Sequence, residues 1–474
     1  MIPLLVAALT AFQCPDGTPP PCSGVRPVTP VLVVTPFESR ARDTADAYLA
    51  AALTEDVTTA LAASHLVRLV SPRASRRGAQ YVLAGSVRPG AGVVRLTARL
   101  ERAGTGEILW TTSFDAPSAQ SVGTADTLTT RVLARLGVRG RVTVRESRPV
   151  NPVARDLYLR GRYYALRRNA ADIARGMALL RQAVAADSTY GLAWAAIARA
   201  LDFAINFRIP VPGMSQDSLV IYELEASNRA LVSDSTSPEI WIARSFALRN
   251  LDRTTRTAPL HALRRALALD SLNAPTWSAM VMVLEEAGDS AAAIHAARRA
   301  IALDPGGLDG LTNGALHFYW TRQLDSAAVW ADSLVDNDPA YISGRRLAGT
   351  VALARGRLAE AEAQFSAART IGPGPERVWA LAGLACVAVA RGDTARARAL
   401  VAEAESLTER DNPALHSAVF LAWGYAALGQ HAAALDWLER YQPAGDRHFQ
   451  LHLLDAPLEP LRGEPRFRAL LATR

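Results

Sequence analysis

The chain has 474 residues, half of them apolar, and its formal charge is +7 because 52 arginines outnumber 45 acidic residues while lysine is absent. Without lysine there can be no Walker A phosphate-binding loop, no protein-kinase strand lysine and no Schiff-base chemistry. Residues 1–150 carry a net charge of +6 and the rest only +1, and no basic run has interleaved aromatics, so we expect no nucleic-acid partner.

The first 30 residues predict a signal peptide and a proline-rich linker. Residues 2–12 are apolar and have the length of a secretory h-region, which is too short to span a bilayer as a helix. Cys14 and Cys22 flank a proline-rich stretch and would close a disulfide loop in an oxidising compartment; in the cytoplasm they would be free thiols. We therefore expect an exported, periplasmic chain that could associate peripherally with the envelope and has no integral membrane span. The alternative is a cytoplasmic chain.

Residues 31–140 alternate between strand and helix patterns and predict a small α/β domain. Strands are expected at 31–34, 65–70, 81–87, 93–102 and 107–114, and helices at 43–62 and 125–136. In the strand at 93–102 every second residue is apolar, which indicates a hairpin strand with one buried face. A linker at 141–152 follows this domain.

A 34-residue pattern determines the architecture of the rest of the chain. It repeats four times without insertion, at Trp277, Leu311, Arg345 and Trp379. This period is typical of tetratricopeptide (TPR) repeats, in which each unit is a pair of antiparallel helices. Because a single pair cannot bury its apolar face, the pairs must stack. We predict an all-α solenoid of about eight repeats over residues 153–445, closed by a capping segment at 446–474.

Two of the units upstream of Trp277 carry insertions. Trp241 and Trp194 occupy the same unit position, and their spacings imply insertions of 2 and 13 residues. The longer insertion, near residues 202–218, contains two prolines and a glycine. We expect it to project from the array as a loop.

Four motifs in order resemble the amino-terminal TolB-like domain, which precedes TPR arrays in many bacterial regulatory proteins. They are residues 33–37, 53–56, 81–87 and 104–110, and the join at 151–164 resembles the same family. The resemblance implies an α+β chain with a small TolB-like α/β domain followed by an all-α TPR solenoid. In such proteins the pair of domains follows a kinase, a nucleotide cyclase or a DNA-binding domain. This implies an alternative function as a cytoplasmic regulatory subunit of a separate kinase, cyclase or transcription factor.

No catalytic motif is present, so we expect neither enzymatic activity nor a cofactor. His448, His452 and Asp455 are spaced so that a helix would place them on one face, as three metal ligands require. Histidines in a terminal cap are more often packing or surface residues and no fourth ligand is evident, so we do not predict a metal site. Glu285 and Glu286 end a first helix, where they are expected to form a solvated turn.

The sequence predicts a protein- or peptide-binding scaffold that uses the concave groove of the solenoid. In TPR proteins fixed positions of the first helices line this groove, and these positions here are Arg162, Arg199, Phe203, Arg249, Asn250, Tyr319 and Arg346. Guanidinium groups bind carboxylates in a bidentate fashion, so the groove would suit an extended, carboxylate-bearing peptide. The alternative is that these are ordinary solvated residues. Trp320, outside the repeated tryptophan position, is expected at an exposed surface.

Overall fold

The computed structural model describes residues 29–40, 47–64, 66–70, 79–89, 93–117, 121–138, 151–165, 170–304, 307–371, 376–408, 414–441 and 446–472. The predicted signal peptide, Cys14, Cys22 and most of the linker at 141–152 lie outside these ranges.

The amino-terminal domain is a small mixed β-sheet. Its strands are β1 (Val31–Val34), β2 (Glu38–Ser39), β3 (Arg68–Val70), β4 (Tyr81–Pro89), β5 (Val93–Arg102) and β6 (Ile108–Pro117). The strand order is β3-β1-β4-β5-β6, with β2 paired to β4. β1 runs parallel to β3 and β4, whereas β4, β5 and β6 form an antiparallel meander. The predicted small α/β domain is thus confirmed.

Two helices cover one face of the sheet because each has an apolar stripe. α1 (Ala47–Ala63) buries Val57 and Leu61, and α2 (Ser121–Arg135) buries Leu128 and Val132. These side chains belong to the same core as the inward-facing residues of β4 and β5. The alternation of burial along β5 matches the period of two in its sequence.

The sheet domain is joined to the first repeat by polar contacts as well as by the shared core. The Tyr48 hydroxyl donates to Asp156, and the Arg155 guanidinium donates to Asp56 at 2.8 Å. The guanidinium of Arg160 lies 4.9 Å from the centre of the Tyr48 ring. Helix α1 therefore rests against the first helix of the array.

The described residues after position 150 contain eight pairs of antiparallel helices. The pairs are α3 (Pro152–Ala165) with α4 (Ala170–Ala186), α5 (Gly191–Asn206) with α6 (Gln216–Ser233), α7 (Pro238–Leu251) with α8 (Thr257–Leu269), α9 (Ala274–Glu286) with α10 (Ser290–Leu303), α11 (Leu308–Trp320) with α12 (Leu324–Asn337), α13 (Ile342–Ala354) with α14 (Leu358–Ile371), α15 (Glu376–Ala390) with α16 (Thr394–Ser406), and α17 (Leu415–Ala427) with α18 (His431–Tyr441). The helical-repeat solenoid is confirmed.

The repeated large residue ties each first helix to the turn before it. The indole nitrogens of Trp194, Trp241 and Trp277 each donate, at 2.9 Å, to the carbonyl oxygen six residues earlier. Arg345 makes the equivalent bond at 3.0 Å through its Nε atom. The 34-residue period therefore marks a structural anchor that fixes the entry angle of each first helix.

Small residues allow the helices of a pair to approach closely. A Cβ atom at Gly314 would lie 1.7 Å from the ring of Trp330, so glycine is required there. Ala293, Ala297 and Ala300 of α10 are at most 2% exposed for the same reason.

Among the described helices, none combines the length and apolar character that a bilayer span needs.

The 13-residue insertion does not project from the array. α5 continues through its first part, and the remaining connection, 207–215, folds back onto the protein. Ile209 and Val211 are buried, and the Phe207 ring stacks on that of His416 in α17 with 5.2 Å between ring centres. The prediction of a projecting loop is wrong because Ile209 and Val211 pack into the core of the amino-terminal half and Phe207 contacts α17 at the far end of the array.

The C-terminal segment, residues 446–472, follows the last pair. It contains α19 (Arg447–His452), a 3-10 helix (Ala456–Leu461) and α20 (Pro465–Ala472). Phe449, Leu458 and Phe467 are at most 2% exposed and share a core with α15 to α18. The segment therefore packs as an integral part of the solenoid.

Candidate functional site in the concave face

The first helices of successive pairs pack side by side, and in helical-repeat solenoids such a layer lines the concave face. The C-terminal segment lies across this face and is held by α11. The Trp320 indole donates to Asp455 Oδ1 at 3.0 Å, and the Tyr319 hydroxyl accepts the backbone N–H of Ala456 at 2.8 Å. Arg322 donates to the carbonyl oxygen of Leu454 at 3.1 Å. Part of the groove is thus occupied by the chain itself.

Asp446 anchors the start of this segment. Its Oδ2 atom accepts hydrogen bonds from Arg253 at 3.0 Å and from the Tyr441 hydroxyl at 2.8 Å. Its Oδ1 atom caps α19 by accepting the N–H of His448 and of Phe449. Burial alone would raise the pKa of Asp446, but Arg253 and these donors hold it below its ordinary value. Asp446 is therefore a charged, fully paired carboxylate.

A buried polar network holds the Arg253 side chain in place. Asn250, which is 6% exposed, donates to Asp202 and to Glu223, each at 3.0 Å. Arg253 donates to the Asn250 side-chain oxygen at 3.2 Å. Burial, with a smaller effect of Asp202, raises the pKa of Glu223 well above its ordinary value. Asn250 is thus a buried residue that positions the Arg253 side chain in the groove.

Glu285 and Glu286 do not form a solvated turn, and that prediction is wrong. Glu286 is 3% exposed and pairs with Arg256, and its Oε1 atom lies 3.7 Å from Arg249. Burial would raise the pKa of Glu286, but Arg249 and its neighbours hold it below its usual range. Glu285 pairs with His317. The end of α9 therefore faces inward, where Glu286 meets arginines and Glu285 meets a histidine.

Tyr319, Trp320 and Arg346 are also buried beside the segment. Trp320 is 8% exposed, so the prediction of an exposed tryptophan is wrong: its indole has a carboxylate partner inside the groove. The Arg346 guanidinium lies over the Trp379 ring at 4.6 Å, and its Nε atom is buried with no hydrogen-bond partner. Burial lowers the pKa of Arg346.

Arg162, Arg199 and Phe203 lie nearer the amino-terminal end of the array and are only partly buried. Arg199 lies over the Phe246 ring at 4.1 Å and 3.3 Å from the Asp202 carboxylate. The structure therefore divides the seven predicted groove residues into two sets. Arg249, Asn250, Tyr319 and Arg346 are buried near the C-terminal segment, and Arg162, Arg199 and Phe203 are more accessible.

Three histidines come together between α17 and α19. His448 and His452 lie on one face of α19, as the sequence predicts, and His416 of α17 joins them. Asp455 does not complete the set, because its carboxylate instead holds Nδ1 of His452 at 3.0 Å. Sequence reasoning missed His416, which is distant in the chain. Its position on the first helix of a pair, where groove residues lie, could have indicated that His416 faces the groove.

No protein-family model matches this chain. A curated relative from Rhizobium meliloti (strain 1021), named "Putative adenylate cyclase 3", is 27% identical over 241 residues, which are 47% of this chain and 40% of the relative. The chain thus spans less than half the length of this relative. The expectation that the chain is not an enzyme is contradicted by this similarity. The missing lysine and motifs exclude particular active sites and not catalysis in general.

Several solved structures are similar to parts of the chain. YrrB, a TPR protein with an unusual peptide-binding site, is 15% identical, with 43% of this chain and 95% of YrrB covered and a TM-score of 0.27. PilW, a type IV pilus biogenesis factor, is also 15% identical, with coverages of 40% and 87% and a TM-score of 0.35. The human IFIT1 dimer with m7Gppp-AAAA is 13% identical, with coverages of 68% and 77% and a TM-score of 0.46.

Proposed function

We propose that this chain is a scaffold that binds an extended, carboxylate-bearing segment of another protein in its concave face. The observation that carries the proposal is that the same face already holds two carboxylates of the chain's own C-terminal segment. Asp446 is bound by Arg253 and Tyr441, and Asp455 by Trp320. A surface whose guanidinium, hydroxyl and indole groups bind these carboxylates can also bind the carboxylates of a partner protein.

The accessible end of the groove is the part we assign to the partner. Arg162, Arg199 and Phe203 are partly buried there, and Arg199 is held flat by Phe246 beneath it. A guanidinium that is fixed in place by an aromatic ring loses little freedom when it binds a carboxylate. An extended peptide would also cover the neighbouring aromatic side chains, which act as apolar anchors.

The test is binding of short fluorescent peptides to the full chain, measured by anisotropy. We expect extended peptides rich in aspartate and leucine to bind more tightly than lysine-rich peptides of equal length. Arg199→Gln should weaken binding about tenfold, the effect of one charged hydrogen bond. The matched control is Arg398→Gln, an exposed arginine on the second helix α16. Equal binding of both peptide classes, or equal loss in both variants, would refute the proposal.

A second candidate function is action with a nucleotide cyclase, which the cyclase relative favours. The chain would then be the regulatory part of a cyclase system. The experiment measures cyclic AMP in source cells that lack the gene and in cells that carry it again, together with ATP conversion by the purified chain. Unchanged cyclic AMP would contradict the candidate. Conversion by the purified chain would place the activity in the chain itself.

The TolB-like identity of the sheet domain and export of the chain belong to the same proposal. The motifs at 33–37, 53–56, 81–87 and 104–110 support the first, and the apolar stretch with Cys14 and Cys22 supports the second. Mass spectrometry of the native protein tests export. We expect loss of the first dozen or so residues and a mass shift on reduction. A full-length chain with reduced thiols would place it in the cytoplasm instead.

A further inference from the structure

The three histidine rings between α17 and α19 bring ring nitrogens close together. One ring nitrogen from each of His416, His448 and His452 lies within 4.8 Å of the others. The ring centres are 5.0 to 5.8 Å apart, and the planes are inclined by 68° to 87°. Around tetrahedral zinc, with Zn–N bonds of about 2.0–2.1 Å, the nitrogens are roughly 3.3 Å apart, so small rotations would close this set.

Two of the rings lie beside carboxylates. The Nδ1 atom of His452 is within hydrogen-bond distance of Asp455 Oδ2, at 3.0 Å, whereas the Nδ1 atom of His448 lies 3.3 Å from Glu286 Oε1 without a hydrogen bond between them. A carboxylate on Nδ1 leaves Nε2 as the ligand atom, and this is the arrangement that holds histidine ligands at metal centres. Asp455 is itself fixed by the Trp320 indole at 3.0 Å. The ligand rings therefore have a prepared, buried support.

The third ring lacks such a partner. The Nδ1 atom of His416 is buried and has no hydrogen-bond partner. The ring is held between Phe207, at 5.2 Å, and Trp379, at 5.5 Å. Neutral imidazoles with free lone pairs are the form that binds metals.

We propose that His416, His448 and His452 bind a divalent transition-metal ion, with Zn²⁺ as the preferred ion, in the interior of the concave face. Three neutral imidazoles are a known zinc ligand set that leaves one coordination position open. Asp455 and Glu286 lie beside two of the rings, and Glu286 is itself paired with Arg256. Arg346 shares the Trp379 ring with His416, so an anionic fourth ligand would have a guanidinium beside it.

The metal would also join two parts of the protein. His416 belongs to the last helix pair, whereas His448 and His452 belong to the C-terminal segment. A bound ion would therefore hold the segment in the groove. This inference does not depend on the identity of any partner peptide, since it concerns only residues of this chain.

The test uses the full chain, free of any histidine tag and stripped of metal with a chelator. Zn²⁺ is added, and bound metal is measured by equilibrium dialysis with elemental analysis. We expect one bound ion per chain and a higher unfolding temperature with zinc than without it. Co²⁺ should give the intense visible absorption of a four-coordinate site.

Variants assign the ligands. His416→Gln should lower zinc affinity at least 100-fold and abolish the rise in unfolding temperature. Asp455→Asn, which leaves the ligands in place, should weaken binding about 10- to 100-fold. The matched control is His261→Gln, which changes an exposed histidine on α8 and should bind zinc as the unaltered chain does. Equal binding by His416→Gln and the unaltered chain would overturn the proposal.

A measurement on the unaltered chain covers the case in which His416→Gln does not fold. X-ray absorption of the zinc-loaded protein should show three imidazole nitrogens at about 2.0–2.1 Å. A shell made of oxygen ligands, or the absence of stoichiometric binding, would refute the site.

Discussion

Replacing Asp446 should release the C-terminal segment from the groove. Asp446 is 1% exposed, and Arg253, its partner at 3.0 Å, keeps 23% of its side-chain exposure. Asp446→Asn retains a good helix cap but removes the charge, leaving Arg253 without its carboxylate. Losing one member of a largely buried ion pair costs about 3 kcal/mol. Asp446→Ala also removes the cap of α19, for about 1 kcal/mol more.

Hydrogen exchange measured by mass spectrometry reports this opening directly, because the segment can undock without global unfolding. A loss of about 3 kcal/mol corresponds to exchange about 150-fold faster in peptides from 446–461. Asp446→Ala should add about a further fivefold. Asp289→Ala is the control for capping alone, because exposed Asp289 caps α10 by accepting the N–H of Ala292 at 3.0 Å.

Two results would refute this reasoning. Exchange in 446–461 that stays within threefold of the unaltered chain in Asp446→Asn would mean that the ion pair does not hold the segment. An equal acceleration in Asp289→Ala would mean that the effect is a general loss of stability.

Three further predictions concern the array itself. The raised pKa of Glu223 means that this carboxyl keeps its proton in the folded chain, whereas the unfolded chain loses it above about pH 4.5. The free energy of unfolding therefore falls as pH rises. Glu223→Gln should raise the urea midpoint at pH 8 and not at pH 4. Gly314→Ala forces a Cβ against Trp330 and should cost about 1–3 kcal/mol in thermal unfolding, whereas Gly104→Ala, which meets no neighbouring atom within 4 Å, should be tolerated. Burial raises the pKa of the Cys386 thiol to about 12, so iodoacetamide at pH 8 should label Cys386, identified by peptide mapping, only after unfolding.

Each of these has a clear contrary result. A pH-independent gain in the Glu223 variant would mean that the carboxyl is ionised in the folded chain. Equal losses for both glycine variants would mean that close approach to Trp330 is not the cause. Rapid labelling of Cys386 in the native chain would show that α15 is accessible to solvent.

The helical array could be predicted because the contacts that form each helix pair join residues close together in the sequence. A 34-residue period places one anchoring side chain, such as Trp277, and a set of small residues, such as Ala297, at the same point of every unit. Each anchor bonds a carbonyl only six residues away, so the sequence contains both partners of the contact. The hairpin of β4 and β5 was predictable for the same reason.

The occupied groove could not be predicted because its contacts are remote in sequence. Asp446 meets Arg253, which is 193 positions away, and Asp455 meets Trp320, which is 135 away. These contacts depend on the curvature of the whole array, which accumulates from small rotations between neighbouring pairs. The repeat period does not specify that curvature.

The same curvature explains the errors at Glu286 and in the insertion. An acidic residue at the end of a helix is usually solvated, and only the inward turn of α9 brings Glu286 to Arg256. Phe207 of the insertion finds His416 because the second and eighth pairs meet across the groove. His416 then joins two histidines whose spacing alone, four residues apart on one helix face, had suggested ligands.

The central claim is that the concave face recognises carboxylates, and calorimetry with a matched peptide pair tests it most directly. One peptide carries aspartate and glutamate, and the other carries asparagine and glutamine at the same positions. We predict that the acidic peptide binds the full chain at least tenfold more tightly and that Arg199→Gln removes most of the difference. Equal affinity for both peptides would contradict the claim.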